Sequence, residues 1–356
     1  MLEASSRRWR SLRWRIRRRL RRGVPAWQRN QIALLATVFV TSVGFTAVMP
    51  FLPLYVRDLG VQRFDEAAFW SGLLFAVSPL LSGLCAPFWI ARAGHHGYKA
   101  MLVRALVAVG VCAGLMALVG NVYELLVLRV LLGALGGVGA MAVPVAAASA
   151  PRERVSEAVG LMQSAQVLSF AVGPAIGGLV ADQLGLRNSF FFMAGLTGVA
   201  LVVVSALFRE EKGVAPRPSV PRSESARRGT LGTPSVRAFL VAIFLAQFVE
   251  ASFGPILPLY VAALGTPSES VASSTGLILS AGAVTSAIAA SVAGRMAVRT
   301  PPWRILRIAL PVGTLVVLPI ALAQAPWHLL ALRALLGLVA GSTPTLIYAM
   351  ANQTLT

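Results

Sequence analysis

Apolar stretches long enough to cross a lipid bilayer follow one another through almost the whole chain. They fall at about 31–56, 68–91, 101–120, 123–148, 157–183, 187–208, 237–263, 271–297, 303–323 and 327–350. A bilayer-spanning helix needs roughly 20 such residues. Inside lipid every backbone amide must be paired within the protein, which leaves only helices or a closed barrel. The stretches lack the alternation of barrel strands. The expected fold is therefore an all-α membrane protein with ten transmembrane helices. Gly and Ala crowd the fourth and fifth spans, which suits close helix packing.

Composition agrees: 56% of residues are hydrophobic and 13% are charged, against about a quarter charged in soluble domains. A formal net charge of +19 by itself suggests a polyanionic partner such as nucleic acid. The placement of the charge points elsewhere. Eleven arginines precede residue 30. If that tail is cytoplasmic, the same side receives Arg92, Lys99, Arg104, Arg152, Arg154, the basic residues of 209–237, and Arg295, Arg299, Arg304 and Arg307. In all, 27 of the 32 basic residues lie on that side, while only Arg57, Arg63 and Arg187 lie opposite. Arg129 and Arg333 sit within spans. Positive charge stays inside, so the chain is expected to be multi-pass in the inner (plasma) membrane with both termini cytoplasmic. The arginine-rich start reads as an anchor to anionic lipid, with Trp9 and Trp14 at the interface; a start codon placed too far upstream is the other reading. No nucleic-acid partner is expected, because nothing else in the chain supports one.

The chain also repeats itself at an offset of 204–205 residues. PFLPLYVRDLG (50–60) matches PILPLYVAALG (255–265), and ELLVLRVLLGALGG (124–137) matches HLLALRALLGLVAG (328–341). Ser71-Gly72 pairs with Thr275-Gly276. Shared spacing at three places implies a duplicated unit. The expected organisation is a tail (1–30), a six-helix half (31–208), a cytoplasmic linker (209–236) and an incomplete second half with four helices (237–356). Partners of spans five and six would follow residue 356; a truncated reading frame is expected, with a ten-span variant as the alternative. Two repeated halves with a substrate path between them near the midplane are characteristic of one transporter architecture.

At these residues the sequence resembles the major facilitator superfamily, specifically its drug:proton antiporters of the MdtG-like type. Gly160, Ser169, Gly173, Pro174, Gly177 and Gly178 in span five are similar to the family's antiporter motif G-x8-G-x3-GP-x2-GG, with Ser169 replacing one Gly. Small residues on one face allow close helix approach, and Pro174 removes a backbone donor and can bend the span. The resemblance implies export rather than uptake. Arg129, followed by Gly133, is similar to the span-four R-x-x-x-G, in which the arginine is implicated in proton coupling. An arginine this deep in an apolar span is costly unless it faces a partner or a wet cavity; the plainer reading is snorkelling. For its repeat mate Arg333 the plainer reading is preferred. The loop after span two keeps Gly97, Lys99, Met101 and Leu102 of the family's PLWGRLADRxGRKxML, but has Gly94 at its Asp and Ile90 at its Gly. In the second-half loop, Val298 occupies the corresponding Asp position. The departures put the latch between halves in question.

A proton-driven exporter needs an acid within the membrane whose proton affinity changes during the cycle. Glu250, about halfway along span seven in FLAQFVEASFGP, is the candidate; the rival reading is a structural glutamate. Gln247, Gln163 and Gln166 could share its cavity, and Phe45, Phe248, Phe253 and Met49 would suit apolar or aromatic cations. Asp58, Glu124 and Asp182 sit near the outer boundary and read as solvated. Cys85 and Cys112 lie in apolar runs without metal spacing, His95 and His96 form a loop pair without further ligands, and no catalytic set converges. No enzyme, metal or cofactor is expected. The expected function is a monomeric secondary active transporter, exporting drugs or lipophilic small molecules in exchange for protons by alternating access. The alternatives are a metabolite or sugar transporter of the same fold and a non-transporting fragment.

Overall fold

The computed structural model describes residues 26–209, 234–297, 299–347 and 350. Most of the arginine-rich tail, most of the linker and Val298 lie outside the described residues. The helices are α1 (Ala26–Ala47), α2 (Leu52–Asp58), α3 (Phe64–His96), α4 (Tyr98–Met116), α5 (Val122–Leu135) and α6 (Val138–Ser149), then α7 (Val155–Leu184), α8 (Leu186–Leu207), α9 (Pro234–Ala263), α10 (Val271–Met296), α11 (Pro302–Val317) and α12 (Pro326–Ala340). Among the described residues there are no strands.

Nine helices are long and apolar enough to cross a membrane among the described residues. The difference from ten lies in span four, which is broken into α5 and α6. Gly137 takes a left-handed φ of +74° there, and Gly136 turns out of helical geometry. Only glycine enters the left-handed region without strain. The break frees the Ala134 carbonyl, which accepts the indole N–H of Trp89 at 2.7 Å, and the Arg104 guanidinium lies over the Trp89 ring at 3.4 Å. Span one is likewise divided, by a turn around Pro50 between α1 and α2.

The repeat seen in the sequence recurs in the packing. Tyr55 donates its hydroxyl to the Met116 carbonyl at 2.8 Å, and Tyr260 donates to the Ile320 carbonyl at 3.1 Å. Gly133 lies against the backbone of Ser78, and Gly337 lies against the Gly282 carbonyl. In each case the second set of residues follows the first by 204 or 205 positions.

The apolar cores show how the bundle opens. At the end with few arginines, Phe51, Leu52, Tyr55 and Phe190 share one cluster with Leu259 and Ala272. A second cluster there, around Leu257 and Val261, takes in Met49 and Leu54. At the arginine-rich end the clusters separate. One is built only from the first six spans, around Leu34, Leu102 and Met162. The other is built only from the last four, around Ala293, Leu306 and Leu346. The two groups of helices are fused at one end and parted at the other.

Candidate functional site

Two helices dominate the contact between the groups. Along α7 and α10 a seam runs from Pro174 to Asp182 on one helix and from Ala272 to Ser280 on the other. The Ala175 amide donates to the Ser280 hydroxyl at 3.0 Å. Gly276 rests against the Pro174 carbonyl, and Gly178 rests against Ala272 and Ser273, so closely that a Cβ at either glycine would collide with backbone. At the fused end, Asp182 accepts the Ser273 amide at 2.7 Å and the Ala272 amide at 3.3 Å. Asp182 is therefore not simply solvated, as its boundary position suggested; it ties α7 to the start of α10.

The other antiporter-motif positions face α1. Gly173 lies against Thr46, and Gly177 lies against the Ala47 backbone. The Thr46 hydroxyl donates to the Ser169 carbonyl at 3.0 Å, and the Ser169 hydroxyl reaches the carbonyls of Phe39 and Ala165. Ser169 is fully buried, so its hydroxyl is satisfied where the family's glycine would offer nothing. Gly160 has open space around it and takes no part in this packing.

About halfway along α9, Glu250 forms an ion pair with Arg333 on α12, beside the cluster around Leu257 and Val261 that includes Phe253. The two members differ in surroundings: the Arg333 side chain is 4% exposed and the Glu250 side chain 53%. Arg333 also stacks over the Phe253 ring at 4.3 Å, while its Nε and Nη1 have no hydrogen-bond partner. Gly282 makes room for the guanidinium; a Cβ there would come within 2.9 Å of Cγ and 3.0 Å of Nε. The stacked, buried guanidinium is held by one half-exposed carboxylate. Neutralising the carboxylate leaves the cation buried and unpaired, which is costly in a dry interior.

Helical geometry sorts the remaining candidates. At about 100° per residue, Gln247, Glu250 and Phe253 share a face of α9. Phe248 stands about 200° from Glu250 and stacks instead on Phe244 at 6.1 Å, so it does not join the pair. Gln163 is exposed on α7, and Gln166 is half-buried near Gly139. Phe45 and Met49 are half-buried and pack on the clusters of the fused end.

Arg129 on α5 is 3% exposed. Its Nε and Nη2 have no partner, and no acid pairs with it among the described residues. Its carbonyl accepts the Ser78 hydroxyl at 2.8 Å. Gly97 forms the turn between α3 and α4 with φ +86°, and Lys99 donates to the Ser205 carbonyl at 2.8 Å, so this loop is tied to α8.

Sequence reasoning passed over Arg333 as a partner, although its position opposite Arg129 in the repeat marked it. Gly282 gave no signal of its own. Among the described residues, no His, Cys, Asp and Glu cluster could hold a metal.

The Major Facilitator Superfamily model matches residues 11–356. The chain belongs to this superfamily. Superfamily members are transporters, so this chain is an integral membrane transporter of small molecules and not an enzyme. It is 34% identical to the multidrug resistance protein MdtG of Serratia proteamaculans over 332 residues, covering 92% of this chain and 81% of that one. It is 35% identical to MdtG of Citrobacter koseri over 334 residues, covering 92% and 82%. The fold is similar to a bacterial homologue of the human lysosomal transporter Spinster in an inward-facing, occupied conformation, with TM-score 0.73 at 15% identity, covering 93% and 75%. It is also similar to the nucleoside transporter NupG, with TM-score 0.69 at 9% identity, covering 91% and 82%. At these identities the structures share the fold alone with this chain.

Proposed function

We propose that this transporter exports lipophilic, chiefly cationic, small molecules in exchange for protons, by alternating access between its two repeated halves. The observation that carries the reading is the ion pair between half-exposed Glu250 and buried Arg333, within the second half. One carboxylate there can be claimed by a proton, by the buried guanidinium or by a cationic substrate, but not by two of them fully at once. Competition of this kind couples proton entry to substrate release. The MdtG relatives support the choice of drugs over metabolites. Fused cores at one end and separate cores at the other support an inward-facing state.

The orientation that goes with this reading places the arginine-rich end in the cytoplasm, with the tail and linker on that side and the protein acting as a monomer. Gln247 and Phe253 share the face of α9 that carries Glu250. Arg129, buried without an anion, draws on the same proton economy from span four. Antiporter-motif packing of α7 on α10 provides the surface over which the halves rock, while its packing on α1 holds the first half together.

Replacing Glu250 tests the proposal. In cells, Glu250→Gln should abolish energy-dependent efflux of a lipophilic cationic dye while the protein still inserts at the parent level. Unchanged efflux removes Glu250 from the mechanism.

A further inference from the structure

The first turn of α10 is capped from the wrong side. A helix start leaves its first amides without partners, and the residue just before it normally accepts from the second or third of them through its own side chain. In α10 that residue is Ser270, and its side chain makes no capping bond. Its hydroxyl donates instead to the Pro267 carbonyl at 3.1 Å. The second and third amides, those of Ala272 and Ser273, go to the two carboxylate oxygens of Asp182. That carboxylate belongs to α7, in the other half of the molecule.

We infer that Asp182 is a positioning residue of the transport cycle: it closes the outer gate by serving as the N-cap of α10 across the boundary between the halves. The inference rests on the alternating-access reading. A carboxylate accepting amides at a helix start is favoured twice, by charge-assisted hydrogen bonding and by the helix dipole. Both gains exist only while the two helices touch. Asp182 lies one turn beyond Gly178, whose missing side chain lets α10 come this near. It also lies at the end where Leu259 and Ala272 complete the shared core. Opening the gate must pull both amides off Asp182 and expose that core. Ser270 stands beside the same amides as the local replacement. The carboxylate therefore biases the protein toward the state closed at this end and open at the other.

Cysteine labelling tests this in the purified full-length protein, independently of any transport. In a background with Cys85 and Cys112 replaced, Ala272→Cys places a thiol where the residue is fully buried. A second reporter, Ala142→Cys, is fully buried in the separate inner cluster. Asp182→Asn and Asp182→Ala should raise maleimide labelling at position 272 about tenfold, the change that loss of about 1.4 kcal/mol produces, and leave position 142 protected. Asp182→Glu, which keeps the charge, should label less than either. Unchanged labelling at 272 in both the Asn and Ala variants overturns the inference, and so does equal exposure at 142, which marks general loosening. Dye efflux measured beside it separates the two claims. A parent protein without efflux whose labelling still follows Asp182 contradicts the exporter reading alone. Intact proton-driven efflux with labelling indifferent to Asp182 contradicts the gate alone.

Discussion

Glu250 and Arg333 bind each other from opposite surroundings, the guanidinium sealed within the bundle and the carboxylate half exposed. That asymmetry makes the two residues unequal under mutation. Removing Glu250 strands a buried cation, whereas removing Arg333 leaves a half-exposed acid. Breaking a pair is costly chiefly through the buried charge left behind. Glu250→Gln should therefore lower the melting temperature in detergent by several degrees, and Arg333→Met should lower it less. The double variant should recover most of the loss. Equal destabilisation by the two single changes would show that the pair is not asymmetric.

Gly178 and Gly276 hold α7 and α10 at backbone contact, whereas Gly160, in the same motif, has open space. Overpacking a tight contact costs typically 1–3 kcal/mol. Gly178→Ala and Gly276→Ala should each reduce dye efflux about tenfold, on the scale where 1.4 kcal/mol is one decade. Gly160→Ala should transport like the parent. Efflux assays on the three variants at matched expression decide it.

Gly282 lies beside Arg333 where Ser78 lies beside Arg129. Gly282→Ala should displace the guanidinium from Phe253 and weaken its pairing with Glu250, reducing efflux without preventing insertion. Ser78→Ala removes one buried hydrogen bond and should cost only about 1 kcal/mol of stability. Comparing the two variants by melting and by efflux separates a role in coupling from a role in packing: Gly282→Ala should act mainly on efflux, Ser78→Ala mainly on melting.

Much of this arrangement was legible in the chain because lipid is a simple solvent. Apolar runs gave the helices, and self-similarity gave repeated contacts such as those of Tyr55 and Tyr260. Glu250 stood out because an acid in such a run needs a reason. Its partner did not stand out, because pairing depends on how α9 meets α12, and no local pattern encodes that. Asp182 looked like any acid at a membrane boundary; its role exists only where α10 arrives without a cap of its own. The break in span four was written in the consecutive glycines Gly136 and Gly137, yet hydrophobicity alone runs straight through them. Phe248 was placed by composition, and the helical angle from Glu250 turns it away.

Proton flux in reconstituted liposomes addresses proton-driven export most directly. With the protein inserted and an inward proton gradient withheld, adding a lipophilic cation on the side of the parted region should drive protons in the opposite direction, and Glu250→Gln should abolish that flux. Dye movement that proceeds at full rate with no accompanying proton movement, in the parent and in Glu250→Gln alike, would contradict it.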